Sequence, residues 1–189
     1  FSFNFFDKEN ETLRNACTEV TSEDDSDVCN LGSINMGRID NLAEFSSVVE
    51  LATKFLLCGT LRAKLPYQKV YDVREKNRRL GLGLMGIHEW LIKAGQKYEV
   101  TEGLHKWLSV YKGISDNTSA KFADYLNVSR PVANRAIAPT GSIGILAGTS
   151  TGIEPIFAVS YKRRYLKNGT RWHYQYVVDS AAQEIIDLY

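Results

Sequence analysis

The sequence predicts an α/β fold with a largely parallel sheet. Two observations carry that prediction. Stretches with apolar residues at helical spacing alternate with short runs of small, aromatic or β-branched residues. No internal repeat or low-complexity linker divides the 189 residues, one domain's worth of chain and enough to bury a core.

Residues 7–29 are polar and acidic, with Ser22-Glu23-Asp24-Asp25-Ser26-Asp27 as a solvated run, and read as an exposed loop between two ordered anchors. Residues 42–61 place Phe45, Val48, Val49, Ala52, Phe55 and Leu56 at helical spacing, and Pro66 ends that region. Cys58 falls on the apolar stripe and reads as core. Residues 84–94, with Leu84, Ile87, His88, Leu91 and Ile92, predict a second amphipathic helix closed by Gly95. Residues 102–126 predict one long helix, or two broken near Gly113, stopped by Arg130-Pro131. Residues 133–138 predict a buried strand that ends at Pro139 and feeds a Gly/Ser/Thr-rich loop. Residues 156–161 and 171–178 predict two further strands, and residues 178–189 a helix.

Composition excludes several classes. Hydrophobic residues make up 44% and charged residues 24%, and the formal net charge is +1, which predicts neither nucleic-acid nor membrane-surface binding. No apolar run approaches the roughly 20 residues of a membrane span. The opening Phe1-Ser2-Phe3-Asn4-Phe5-Phe6 lacks a basic region and a cleavage site and does not read as a signal peptide. A first residue other than Met reads as a processed product or a piece of a longer chain. Three cysteines, Cys17, Cys29 and Cys58, predict no disulfide framework, and the setting expected is a reducing cytoplasm. Neither CxxC nor HExxH occurs, so no directly bound metal is expected.

Four motifs carry candidate chemistry. In Asn15-Ala16-Cys17-Thr18-Glu19 an extended backbone would point Asn15, Cys17 and Glu19 the same way. An amide, a thiol and a carboxylate would then surround one small volume. On spacing alone, an ordinary polar loop is the commoner outcome of so short a pattern. Twelve positions after Cys17, Cys29 opens Cys29-Asn30-Leu31-Gly32-Ser33-Ile34-Asn35, a second sulfur or a small buried hydrophobe at a strand start. Gly81-Leu82-Gly83-Leu84-Met85-Gly86 fits GxGxxG, but Arg74-Glu75-Lys76-Asn77-Arg78-Arg79 before it is no buried strand. A dinucleotide site is therefore not expected, and the glycines are read as permitting close backbone packing at a helix entry. Ala138-Pro139-Thr140-Gly141-Ser142-Ile143-Gly144 follows a strand with small residues and hydroxyls, and its N–H groups could face an anion or simply form a tight turn. The basic runs Arg78-Arg79 and Lys162-Arg163-Arg164 read as solvated faces or ion-pair partners.

Taken in order, these motifs resemble the catalytic chain of ribonucleotide reductases. The order is Asn15-x-Cys17-x-Glu19, then the Cys29 motif, then Arg78-Arg79 with the glycine run, then the Pro139 loop leading to Gly152-Ile153-Glu154-Pro155. Residues 27–35, 77–90 and 138–166 look most like the adenosylcobalamin-dependent (class II) branch, as does Phe55-Leu56-Leu57-Cys58-Gly59-Thr60-Leu61. The resemblance implies a ten-stranded α/β barrel, of which residues 1–189 would be a single partial domain, a middle segment. It implies conversion of ribonucleoside di- or triphosphates to 2′-deoxyribonucleotides for DNA synthesis. Cys17 matches the cysteine whose thiyl radical takes the 3′-hydrogen, and Glu19 the carboxylate that accepts the 3′-hydroxyl proton. Asn15 matches the amide on the substrate hydroxyls, and Cys29 one of two cysteines that deliver electrons as the 2′-hydroxyl leaves as water. Pro139, Thr140, Gly141, Ser142 and Ile143 match the loop that holds the substrate phosphates. The implied cofactor is adenosylcobalamin. The implied partners are a ribonucleotide, a thioredoxin- or glutaredoxin-type reductant and the remaining segments of the reductase. The second redox cysteine lies upstream of residue 1 in the family, so the segment alone is expected to be inactive. Two alternatives accompany this reading: a class I large-chain segment served by a separate radical-generating subunit, and a non-catalytic piece.

Overall fold

A computed structural model of the chain describes residues 13–188. The opening segment, with the beginning of the expected acidic loop, and Tyr189 lie outside the described residues. In chain order come β1 (Leu13–Arg14), β2 (Thr21–Ser22), β3 (Asn30–Asn35), α1 (Leu42–Arg62), α2 (Gln68–Asn77), β4 (Leu80–Met85) and α3 (Ile87–Lys93). Then follow α4 (Glu102–Tyr125), α5 (Gly141–Ala147), β5 (Ser160–Lys167), β6 (Arg171–Val178) and α6 (Ser180–Leu188). Among these helices none is long and apolar enough to cross a membrane. The chain divides into two compact units. The first holds residues up to Ile34, Ile39–Leu84 and Val100–Pro139; the second holds Asn35–Arg38, Met85–Glu99 and the residues from Thr140.

In the first unit α1 begins where the Asn41 side chain accepts the Glu44 N–H at 3.0 Å. Its buried face is Phe45, Val49, Thr53, Leu56, Leu57 and Thr60. Two residues expected on that face lie off it: Phe55 is 73% exposed and Cys58 is exposed. Both sit on the turn positions facing away from the Phe45–Val49 stripe, so hydrophobicity alone misassigned them. Helix α4 is a single helix capped by Thr101, whose hydroxyl accepts the Leu104 N–H at 3.1 Å. Gly113 does not break it, because the position faces open space and the backbone ladder continues. The two helices meet through Phe45, whose ring lies 5.0 Å from Trp107 and 6.4 Å from Tyr111.

Helix α2 was not expected from the sequence, because its charged run offers only Val70 and Val73 as an apolar face. It is held by Arg74, which donates to the Thr60 carbonyl at 2.7 Å and so caps the end of α1. The glycine motif is also reassigned. Residues Leu80–Met85 form a strand buried at every position, rather than the entry to a helix. This strand pairs with β3. The expected strand at 133–138 reduces to one parallel bridge, Leu82 with Arg135, with Leu80 N–H on the Ala133 carbonyl at 2.9 Å. A Cβ at Gly83 would stand 2.6 Å from the Ala136 carbonyl oxygen, which is backbone and cannot yield. Gly83→Ala is therefore expected to cost about 1–3 kcal/mol, read as a lowered melting temperature; an unchanged one would contradict the close approach.

In the second unit α3 leaves Gly86, whose φ is +72°, and Gly95 follows the helix at +66°. The Gly/Ser/Thr-rich stretch contains α5 where a loop was expected. Strand β5 starts at Ser160, later than the sequence predicts, and pairs with β6 antiparallel rather than parallel. The reason is the three-residue connection Asn168-Gly169-Thr170, in which Asn168 and Gly169 take positive φ and the Thr170 N–H returns to the Lys167 carbonyl at 3.3 Å, reversing the chain directly. The basic run stays exposed, with Arg164 stacked 4.3 Å from the Trp172 ring centre and Lys162 4.9 Å from that of Tyr174.

Candidate active site

Cys17 sits in the loop of the β1–β2 hairpin, where Leu13 pairs with Ser22 and Arg14 with Thr21. The loop is a turn, and this corrects the extended backbone expected from the spacing. Thr18 donates its N–H to the Asn15 carbonyl at 3.1 Å and adopts a φ of +65°. The i, i+2, i+4 alternation therefore does not align Asn15, Cys17 and Glu19 on one face. Asn15 and Cys17 are exposed, and Glu19 is half-buried. The Asn15 side-chain oxygen accepts the Val20 N–H at 3.2 Å, which closes the loop and leaves the amide N–H groups to donate. One Glu19 oxygen, Oε2, is buried and has no hydrogen-bond partner among the described residues.

Cys29 stands just before β3, half-buried. Burial pushes its thiol up to about 12, opposed by the Arg79 guanidinium and reinforced by the carboxylates of Asp27 and Glu19. Gly81 on β4 makes room for it: a Cβ there would lie 2.8 Å from the Cys29 sulfur and 2.5 Å from Leu31 Cδ2. A cleft of about 390 Å³ has Asn15, Ser22, Asp27, Cys29 and Leu31 in its lining; Cys17 and Glu19 are not part of it.

The acidic run is not simply solvated. Lys76 donates to Asp24 at 2.9 Å and to Glu23 at 3.1 Å, and Asn77 donates to Asp24 at 2.9 Å. Asp27 pairs with Arg79 at 2.9 Å, both side chains nearly inaccessible at 7% and 5%. Sequence reasoning missed Ser22, Asp27, Asn77 and Arg79 as a group. The available signal was an acidic run and a basic run of similar length, about fifty residues apart, which could neutralise one another.

Pro139 is the last residue of the first unit, and Thr140, Gly141, Ser142 and Ile143 begin the last segment of the second. Thr140 is buried at φ +51°, and its hydroxyl accepts the Gly152 N–H at 2.7 Å, tying the loop to the Gly152-Ile153-Glu154-Pro155 stretch. Gly141, Ser142 and Ile143 are exposed in the first turn of α5, where backbone N–H groups have no partner inside a helix. Ile153 and Ile156 are held in turn: Tyr98 donates its hydroxyl to the Ile153 carbonyl, and Ile156 donates its N–H to His88 Nδ1 at 2.8 Å.

The α/β chain thus carries one cysteine on the loop of a hairpin and a second just before a strand that pairs with the glycine-bearing β4. The chain belongs to the ribonucleotide reductase family: it matches "Ribonucleotide reductase, barrel domain" over residues 4–121 and 130–189. A protein of Mycobacterium phage D29, named as an adenosylcobalamin-dependent ribonucleoside-triphosphate reductase, is 31% identical over 79% of this chain and 23% of its own length. The vitamin B12-dependent ribonucleoside-diphosphate reductase of Thermoplasma acidophilum is 33% identical over 73% of this chain and 21% of its own. The crystal structure of a B12-dependent (class II) ribonucleotide reductase aligns with a TM-score of 0.71 at 18% identity, covering 82% of this chain and 25% of that one. The fold is thus that of the reductase barrel, and the chain spans about a quarter of the length of the proteins it matches.

Proposed function

We propose that this chain is the catalytic stretch of an adenosylcobalamin-dependent reductase that converts ribonucleoside di- or triphosphates to 2′-deoxyribonucleotides. The observation that carries the reading is the buried Oε2 of Glu19, two residues from Cys17 and without a hydrogen-bond partner among the described residues. A buried carboxylate oxygen without a donor costs free energy unless a ligand supplies one. A ribose hydroxyl is a donor of the right kind.

In this reading Cys17 carries the thiyl radical and takes the 3′-hydrogen atom. Glu19 accepts the 3′-hydroxyl proton, and the Asn15 amide donates to a substrate hydroxyl oxygen. Cys29, with a second cysteine outside residues 1–189, gives two electrons as the 2′-hydroxyl leaves as water. The high thiol pKa of Cys29 keeps it protonated at neutral pH, so it holds a hydrogen to give. Pro139, Thr140, Gly141, Ser142 and Ile143 receive the phosphates on the N–H groups of the first turn of α5.

Adenosylcobalamin, when bound, supplies the radical. What this chain offers toward it is the Cys17 thiol, exposed on the hairpin loop. The relatives' names support the cofactor, and both compact units then serve one barrel domain together with the remaining segments. A thioredoxin- or glutaredoxin-type protein would return the electrons, in the cytoplasm. The test is turnover by the complete reductase containing this stretch. Deoxynucleotide formation that requires adenosylcobalamin is expected. Formation without cobalamin, driven by a separate radical-generating subunit, would overturn the class assignment.

A further inference from the structure

Asp27 is held far more closely than an acidic loop residue needs to be. The Val28 N–H donates to Oδ1 at 2.8 Å. On Oδ2 converge the Ser22 hydroxyl at 2.7 Å, the Arg79 Nε–H at 2.9 Å and the Asn77 amide at 3.0 Å. Ser22, Asn77 and Arg79 are 5%, 3% and 4% exposed, so this is a built junction and not a surface encounter. Its donors come from separate places: Ser22 ends β2, Asn77 ends α2, and Arg79 immediately precedes β4.

We infer that Asp27 is a positioning residue, whose carboxylate fixes the stem of the Cys17 hairpin and the approach to the Cys29 strand onto one frame at the start of β4. The inference rests on the roles given above to Cys17 and Cys29. A hairpin with two residues in each strand is not stable by itself, so its orientation depends on outside ties. Ser22 supplies such a tie at the second strand. Two residues beyond Asp27 comes Cys29, and the Val28 N–H held by the same carboxylate sets how the chain turns toward it. Two sulfurs that act in turn on one sugar must keep their relative placement to a fraction of an ångström. A carboxylate shared by both supporting segments does this directly. The same group also faces the Cys29 sulfur electrostatically, pushing its thiol up while Arg79 pulls it down.

The experiment uses the complete reductase with three single changes, Ser22→Ala, Asp27→Asn and Cys17→Ser, assayed well below the melting temperature. Ser22→Ala cuts the hairpin tie and leaves the Cys29 side intact. It is expected to lower kcat about tenfold with KM within about twofold, and Asp27→Asn to lower kcat about a hundredfold. A second readout is iodoacetamide alkylation of Cys29 against pH, followed by mass spectrometry in the absence of cofactor. Asp27→Asn is expected to move that profile to lower pH, because the anion that pushes the thiol up is lost; Ser22→Ala leaves it in place. A purely structural role would lower stability without moving either kcat below the melting temperature or the alkylation profile. Wild-type kcat in both variants with an unmoved profile, while Cys17→Ser is inactive, overturns the role of Asp27 and leaves the reductase reading standing. An active Cys17→Ser overturns both. If Asp27→Asn does not fold, Ser22→Ala decides: a tenfold loss supports the inference and wild-type kcat ends it.

Discussion

Changing Cys17 to serine in the complete reductase is expected to cut deoxynucleotide formation by about 10⁴-fold or more. The substitution is nearly isosteric and falls on an exposed turn, so folding and substrate affinity should survive it. What it removes is the one-electron chemistry of sulfur. A serine hydroxyl holds its hydrogen too tightly to be converted to a radical under the same conditions. The Asn15 and Glu19 groups remain in place and have nothing to act with. Product formation by chromatography, with nucleotide binding measured in parallel, checks the prediction. Retained turnover with intact binding would remove Cys17 from the mechanism.

Arg79→Met is expected to lower stability by about 3–5 kcal/mol, the usual consequence of removing one partner from a buried ion pair. Asp27 would keep its bonds from Ser22, Asn77 and Val28 but would stay buried as an uncompensated charge. For a chain of this size the loss corresponds to a fall of roughly 10 °C in melting temperature. The contrasting change is Lys69→Met. Lys69 pairs with Asp25 at the surface, with side chains 58% and 64% exposed, and solvent screens that pair. Its melting temperature is expected to stay at the wild-type value. Equal behaviour of the two variants would show that the Asp27–Arg79 pair is not stabilised by its burial.

Much of the first unit was legible from sequence periodicity. Helices α1 and α4 have long amphipathic patterns and clear caps at Asn41 and Thr101, and such signals are local. Helix α2 was not legible, because Arg74, buried on it, looks like a solvent residue until the end of α1 is there to receive it. Strand β4 was hidden by its glycines, which disfavour a strand in isolation. They become necessary when Cys29, Leu31 and the Ala136 carbonyl crowd against it. The β5–β6 reversal was readable in Asn168-Gly169, a hairpin signal that the expectation of a parallel sheet overlooked. At the candidate site the residue identities were legible and their geometry was not. The extended reading of residues 15–19 gave way to a turn, because Thr18 takes a positive φ and Asn15 closes the loop on Val20.

The sequence by itself determined the family and the order of the chemical groups along the chain. Side-chain identity at four ordered motifs needs no coordinates, and the match to the reductase barrel over nearly the whole chain follows from it. The tertiary structure alone decided which of these groups are supported. It moved Cys58 off the core and buried the Glu19 oxygen. It also joined an acidic run to a basic run through Asp27 and Arg79, fifty-two residues apart. The physical reason is that burial and pairing at such separation depend on which segments close together in space. Closing that loop costs entropy that only the packed whole repays, and no local pattern encodes it.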